Sequence, residues 1–344
     1  MKNLRKILFP FSILYDGVTS LRNSLYARNV LKSTSFDLPI IAVGNLSVGG
    51  TGKTPMVEYL IRLLSDKYQL ATLSRGYKRK SKGFYLANEQ TTMEEIGDEP
   101  FQYHSKFKNI SVAVDAKRVE GVQNILDRKP STEVIVLDDA FQHRKIKAGF
   151  YIVLTSYDNL YFEDCLLPAG NLRENASGID RADLVVVTKC PANLSESEQR
   201  RILSKIQKSP DRVFFSTIAY DKYITNGIDS LRVEELKEDF IAVAGIAKPQ
   251  FFYDYLQCDA QKYLTFPDHH HFSESDILRI LDKAKGKKII TTEKDYMRLQ
   301  HLLPQNQLYY LPIQMQFLNH KEAFDQKIKK YVGESSRKCT IHKK

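Results

Sequence analysis

Cysteine is scarce and scattered: Cys165, Cys190, Cys258 and Cys339 are the four in 344 residues, and no two form a CxxC pair. That spacing offers neither a disulfide framework nor a structural zinc site, and it suits a reducing cytoplasm. Long apolar runs are missing too. No stretch approaches the roughly 18 residues a spanning helix needs, so the chain is not expected to cross a membrane. Glycine (16) and proline (12) are few, and no internal repeat stands out, which argues against extensive disorder. Acidic residues are outnumbered, 41 Asp and Glu against 51 Lys and Arg, for a formal charge of +10. This balance suits an acidic partner; nucleic acid, anionic lipid and a phosphorylated substrate all qualify, and charge alone does not choose.

What is present is the composition of a globular protein, 42% apolar and 11% aromatic. A single core rarely grows past roughly 250 to 300 residues, so this length favours two domains. The start mimics a signal peptide, with Lys2, Arg5 and Lys6 before Ile7-Leu8-Phe9-Pro10-Phe11. Asp16 ends that run and no small-residue cleavage site follows, so the segment is read as retained. From about residue 4 to 26 apolar residues recur every three or four positions: Leu4, Ile7, Leu8, Phe11, Leu14, Tyr15, Val18, Leu21 and Leu25. One helical face is therefore apolar. The stripe suits a helix buried on its own domain or one lying in a lipid interface, and the flanking cations Arg22, Arg28 and Lys32 favour the second.

Beyond Leu38, short β-branched runs alternate with helical stretches, at 40–43, 71–73, 111–114, 134–137, 151–154 and 184–187. Continuous apolar strands in a βαβ rhythm predict an α/β fold, a mainly parallel sheet sandwiched by helices. A polar, turn-forming stretch with Asn226-Gly227 marks a domain junction. The expected division is 1–222, a linker at 223–239, and a smaller α/β domain over 240–344 with a frayed basic tail from Gly333.

The strongest motif is Ser47-Val48-Gly49-Gly50-Thr51-Gly52-Lys53-Thr54, set between a strand and a helix-like stretch. Glycines let backbone amides crowd around phosphate oxygens, Lys53 reaches the β- and γ-phosphates, and Thr54 holds Mg²⁺. Ser47 stands where the usual pattern has its first glycine, and Gly49 and Gly50 supply compensating freedom. The fold is thus P-loop NTPase-like. The apolar strand ending in Asp138-Asp139 places a carboxylate beside the metal, Asp138 being preferred. Thr188-Lys189-Cys190-Pro191 has Pro191 where a guanine-reading motif carries Asp, which favours ATP over GTP.

Several further motifs follow in order: Val43-Gly44-Asn45, Leu73-Ser74-Arg75-Gly76-Tyr77, Gly97-Asp98-Glu99-Pro100, Asp138-Asp139-Ala140-Phe141-Gln142-His143-Arg144, Leu167-Pro168-Ala169-Gly170-Asn171-Leu172-Arg173-Glu174, Gly245-Ile246-Ala247-Lys248-Pro249, Phe266-Pro267-Asp268-His269 and Thr292-Glu293-Lys294-Asp295. In this order, across most of the chain, they resemble the tetraacyldisaccharide 4'-kinases of lipid A synthesis in Gram-negative bacteria. Ala140 and Lys78 depart from that pattern, both at positions where glycine is usual. The resemblance implies a lipid kinase that moves the γ-phosphate of ATP, with Mg²⁺, onto the 4'-hydroxyl of an acylated glucosamine disaccharide 1-phosphate. It also implies a peripheral enzyme on the cytoplasmic face of the inner membrane, in contact with anionic lipid; a monomer without nucleic acid is expected.

By the same resemblance Asp98 is the candidate base and His269 orients or tunes it; on spacing alone a helix N-cap ahead of Pro100 is the favoured reading of Asp98, and only the resemblance reverses it. Glu174 joins Thr54, Asp138 and Asp139 as a candidate metal contact, and Arg75, Arg118, Gln142, His143 and Arg173 are candidate substrate contacts. With His269 on the second domain and Lys53 on the first, a cleft between them and a hinge near 221–239 are expected. A nucleic-acid-dependent P-loop ATPase explains the charge, yet the cations are scattered and no nucleic-acid-binding motif stands out. A metal-insertion chaperone would need Cys and His ligand clusters that the sequence lacks.

Overall fold

The computed structural model describes residues 5–236, 239–268 and 270–342, with the side chains of residues 6 and 336–342 left aside. The chain forms two compact units, one running to Ile218 and resuming at Met315, the other spanning Ala219–Gln314.

The first unit is built on strands β1 (Ile40–Asn45), β2 (Leu70–Ser74), β3 (Tyr85–Leu86), β4 (Ser111–Val114), β5 (Val134–Asp138), β6 (Phe150–Ser156), β7 (Leu184–Thr188) and β8 (Val213–Tyr220). They lie in the order β8-β7-β6-β1-β5-β2-β4-β3. Neighbours from β8 to β4 run parallel, and β3 closes the edge antiparallel to β4. The strands read as unbroken apolar runs because both faces are covered. Ile41 and Val43 join Met56 and Leu60 on one side, whereas Ile40 and Ala42 join Val122 and Ile125 on the other.

The helices of this part are α1 (Phe9–Ala27), α2 (Lys53–Leu64), α3 (Met93–Ile96), α4 (Asp98–Lys106), α5 (Arg118–Arg128) and α6 (Glu196–Ile206). From β1 the chain passes through α2 to β2, beyond the place later taken by β5, while β6 starts on the opposite side of β1. Strand order reverses at β1, and in open α/β sheets ligands bind at the carboxyl ends of strands at such a switch point.

The second unit holds β9 (Tyr223–Thr225), β10 (Ser230–Arg232), β11 (Phe240–Ala244), β12 (Tyr263–Thr265), β13 (Lys288–Thr292) and β14 (Leu308–Leu311), in the order β10-β9-β14-β13-β11-β12. Its central strands are parallel and carry helices α7 (Gln250–Tyr255), α8 (Glu274–Ala284) and α9 (Glu293–Leu299).

The chain divides differently from the expectation in two places. The stretch read as linker and hinge contains β9 and β10, an antiparallel hairpin of the second sheet. Ile224 is buried there, and the Asn226 side chain accepts from the amides of Ile228 and Asp229 at 2.9 and 2.7 Å. The polarity of this stretch reflects turn chemistry in a folded hairpin. The last segment, assigned by sequence to the smaller domain, instead belongs to the first unit. Strand β15 (Ile313–Phe317) lies beside β8, and α10 (Lys321–His342) sends Phe324, Ile328 and Val332 into the core around α2. Helical periodicity announces an apolar face without saying which sheet it covers. The helix also continues past Gly333, where fraying is expected.

Candidate active site at the sheet edge

Strand β1 ends at Asn45, and the glycine loop carries the chain into α2. Gly52 caps that helix at φ +86, a left-handed conformation that side-chain-bearing residues rarely adopt. The loop is braced by side chains of the strand ends. Asn45 Nδ2 donates to the Ser47 carbonyl at 2.7 Å and to Thr51 Oγ1 at 2.8 Å. From the end of β7, Thr188 Oγ1 donates to the Thr51 carbonyl at 2.8 Å, and Lys189 Nζ reaches the Gly50 carbonyl at 2.6 Å. A loop fixed in this way needs little ordering when an anion arrives at the helix N-terminus.

Lys53 Nζ lies 3.5 Å from Asp139 Oδ1. Arg173 meets both oxygens of the same carboxylate, at 3.0 and 3.1 Å. Burial opposes ionisation of Asp139, but Lys53 and Arg173 outweigh it and hold the carboxyl below its usual range.

Its neighbour Asp138 is in the opposite situation. The side chain is buried at the end of β5; Oδ2 accepts from Tyr103 at 3.2 Å and from Ser74 at 3.4 Å, while Oδ1 is buried with no partner. Burial, reinforced by Glu99 and opposed by Lys53, pushes this carboxyl up to about 7. An orphaned buried acceptor costs about 1–3 kcal/mol, a penalty that a bound cation would relieve. Thr54, 7% exposed, points its hydroxyl at Glu99 Oε1, 3.5 Å away. Thr54, Glu99 and Asp138 thus offer oxygen donors only, the set that suits a hard divalent cation. Among the described residues no three His, Cys, Asp or Glu side chains form a ready cage. Mg²⁺ does not require one, since it is usually held by one or two carboxylates plus the phosphates of its nucleotide.

Asp98 opens α4. Gly97 precedes it at φ +89, where a β-carbon would come within 2.8 Å of the Tyr77 carbonyl, so the turn that presents Asp98 requires glycine. Gly97, and not Asp98, occupies the N-cap position, which sets aside the capping reading. His269 lies outside the described residues.

The substrate candidates divide. Arg75 is exposed just past β2. Arg118 is buried, donating to the carbonyls of Asp115 at 2.5 Å and Asp138 at 3.2 Å, and burial lowers it to about 10, still charged at neutral pH. It braces the ends of β4 and β5. His143 is lowered to about 4, by burial first and then by Arg118, Arg75 and Arg22 against the opposing Asp139, so its imidazole is neutral at pH 7. Gln142 Nε2 donates to the Asn45 carbonyl at 2.7 Å and to Glu174 Oε1 at 3.0 Å. Glu174 is fully buried, and its oxygens also accept from Arg181 and from Asn23 of α1. Expected at a metal, Glu174 sits instead among these donors as a brace between α1 and the loop that carries Arg173.

Helix α1 turns its polar side inward and its apolar side out. Ser12 donates to the Leu166 carbonyl at 3.0 Å, and Tyr15 to the Arg173 carbonyl at 2.8 Å. Phe11, Leu14, Val18 and Leu21 are each more than 60% exposed. Among the described residues no helix is long and apolar enough to cross a membrane.

Sequence reasoning assigned no role to Asn45, Glu99, Tyr103 or Lys189. Asn45, Glu99 and Lys189 lie inside the sequence motifs, whereas Tyr103 gives no signal beyond its helical spacing from Glu99.

Residues 4–333 match the family model described as tetraacyldisaccharide-1-P 4'-kinase. The tetraacyldisaccharide 4'-kinase of Flavobacterium johnsoniae is 57% identical over 337 residues, covering 97% of this chain and 99% of that one. That of Bacteroides thetaiotaomicron is 43% identical over 364 residues, covering 98% and 96%. The crystal structure of LpxK from Aquifex aeolicus in complex with ATP superposes with a TM-score of 0.78 at 32% identity, covering 96% of this chain and 99% of that one. With a glycine loop, an acidic strand end and a full-length match in agreement, this chain belongs to the tetraacyldisaccharide-1-P 4'-kinase family.

Proposed function

We infer that the protein transfers the γ-phosphate of ATP to the 4'-hydroxyl of a tetraacyldisaccharide 1-phosphate, giving the bis-phosphorylated lipid of lipid A synthesis. The observation that carries this reading is the glycine loop at the switch point of the sheet, with Lys53 beside Asp139 and an unpartnered Asp138 oxygen close by.

Phosphoryl transfer asks chiefly for placement and charge neutralisation. Loop amides and the start of α2 hold the phosphates, and Lys53 leaves Asp139 to bridge the β- and γ-groups. Thr54 and Asp138, with Glu99 beside them, would hold Mg²⁺, which neutralises charge developing on the phosphate oxygens. Asp98 accepts the proton of the sugar hydroxyl as the new O–P bond forms and the bond to ADP breaks. A base so placed contributes typically 10²- to 10⁴-fold. Arg75 and Arg173 supply cations for the phosphate-bearing lipid, and neutral His143 supplies a hydrogen-bonding group.

Because the acceptor stays in the bilayer, α1 docks the enzyme peripherally on the cytoplasmic face of the inner membrane. Its outward stripe enters the acyl boundary while its polar side remains bonded to the loop of Arg173. The test is incubation with γ-labelled ATP, Mg²⁺ and detergent-dispersed monophosphorylated tetraacyl disaccharide. Label should enter the lipid at the 4'-position, and Asp98→Asn should lower the rate at least a hundredfold. Hydrolysis of ATP without labelled lipid would contradict the reading.

A further inference from the structure

Helix α4 carries four polar contacts on one face. Residues 99, 102, 103 and 106 follow the i, i+3, i+4, i+7 spacing that aligns side chains along a helix. At one end Glu99 accepts from Thr54 at 3.5 Å, and Tyr103 donates to Asp138 at 3.2 Å. At the other, Gln102 Nε2 donates to Glu58 Oε1 at 2.8 Å and Lys106 Nζ to Glu58 Oε2 at 2.7 Å. Glu58 belongs to α2, five positions beyond Lys53, and its side chain is 1% exposed. Arg62 adds a third donor from α2 itself, at 2.9 Å. None of the transfer steps uses Glu58.

A carboxylate this deeply buried is retained only when its lone pairs are met by well-placed donors. Here the donors come from both helices, so any slide or rotation of α4 along α2 strips partners from a buried charge. The contact therefore has one favoured register. Lys106 and Asp98 sit at opposite ends of α4, about 12 Å apart at the helical rise. A small change of angle at the clamp moves Asp98 by an appreciable fraction of an ångström, and misplacement of about 1 Å can cost of order 10²-fold in rate.

We propose that Glu58 is a positioning residue: by clamping Gln102 and Lys106 it fixes α4 on α2 and sets the approach of Asp98 to the phosphate held by Lys53 and Thr54. This rests on the reading of Asp98 as the base. It assigns to Glu58 no contact with nucleotide or lipid.

The experiment uses the full chain in the lipid-labelling assay, with rates normalised to folded protein by circular dichroism. Glu58→Gln and Lys106→Met should each lower kcat tenfold or more while KM for ATP changes less than threefold. Lys106→Arg, which keeps the charge, should retain at least a third of wild-type kcat. In an Asp98→Asn background, Lys106→Met should add less than a twofold further loss, because the clamp acts through Asp98. If Lys106→Met does not fold, the volume-conserving Gln102→Met replaces it with the same expectations. Unchanged kcat in the folded variants overturns the proposal, as do a parallel rise in KM for ATP and losses that multiply with Asp98→Asn. The two readings fail separately: Asp98→Asn with full turnover removes the base, whereas a dead Asp98→Asn beside a fully active Lys106→Met removes only the clamp.

Discussion

The Arg173 guanidinium contacts both carboxylate oxygens of Asp139, at 3.0 and 3.1 Å, and so shares that carboxylate with Lys53, 3.5 Å from Oδ1. Arg173 therefore moderates how strongly Asp139 holds Lys53, which in the proposed mechanism moves onto the phosphates. Arg173→Met leaves Lys53 as the main counter-charge of Asp139. KM for ATP should rise about threefold and kcat fall about tenfold, a combined loss of about 2 kcal/mol in transition-state stabilisation. Stability should change by about 1 kcal/mol or less, because the pair is partly exposed. Steady-state kinetics and thermal melts of the same preparation separate the two effects.

Asp138 gives the ligand-free protein a defined pH dependence. Its folded value of about 7 lies above the ordinary 3.8. Between those values the folded state holds a proton that the unfolded chain has released. The stability contributed by this group is complete below about 4 and is lost as pH rises through about 7. Melting temperatures of wild type and Asp138→Asn should therefore differ in slope over that window, with wild type losing ground to the variant as pH rises. Parallel curves would place the Asp138 carboxyl in the ordinary range.

His143 acts with the opposite sign. Its folded value of about 4 lies below the ordinary 6.5, so the unfolded chain takes up the proton first as pH falls. Its contribution is complete above about 6.5 and is lost as pH drops through about 4. His143→Gln should reduce acid lability in that window. The imidazole resonances of His143 should show no titration between pH 5.5 and 8; a midpoint near 6.5 would contradict the burial and the neighbouring arginines that keep it neutral.

For α1 the magnitudes decide which force dominates at a membrane. Phe11, Leu14, Val18 and Leu21 are exposed, and each would gain about 1.5–3 kcal/mol on full burial in the acyl boundary. A cation near an anionic leaflet adds about 1 kcal/mol, and salt screens it. Sedimentation with vesicles containing anionic lipid should thus persist in high salt. Leu14→Glu with Val18→Glu should release the protein at any salt concentration, since both side chains point away from the protein. Release by salt alone, with the double variant still bound, would mean that charge and not the apolar stripe makes the contact.

The central sheet was legible because its strands are buried on both faces and read as apolar runs; the glycine loop was legible because strand, glycines and helix follow in order. Partner choice was not. The stripe of α1 signals amphipathicity, but only the bonds of Ser12, Tyr15 and Asn23 reveal that its polar side is the buried one. Likewise Glu174 is one more acidic residue in a motif until Arg181, Asn23 and Gln142 are found on its oxygens. The return of β15 and α10 to the first unit rests on long-range packing of Phe317 and Phe324 against Tyr59 and Phe214, which no local pattern encodes. Glu58 carries no motif at all, and its significance comes entirely from the burial that forces it to be paired.

The most direct measurement is a crystal structure with Mg²⁺ and a non-hydrolysable ATP analogue. The β- and γ-phosphates should lie against the amides from Gly49 to Thr54, with Lys53 moved from Asp139 onto them and the cation between Thr54 and the Asp138 oxygen that lacks a partner in the free protein. A triphosphate bound elsewhere, with Lys53 still paired to Asp139, would contradict this placement.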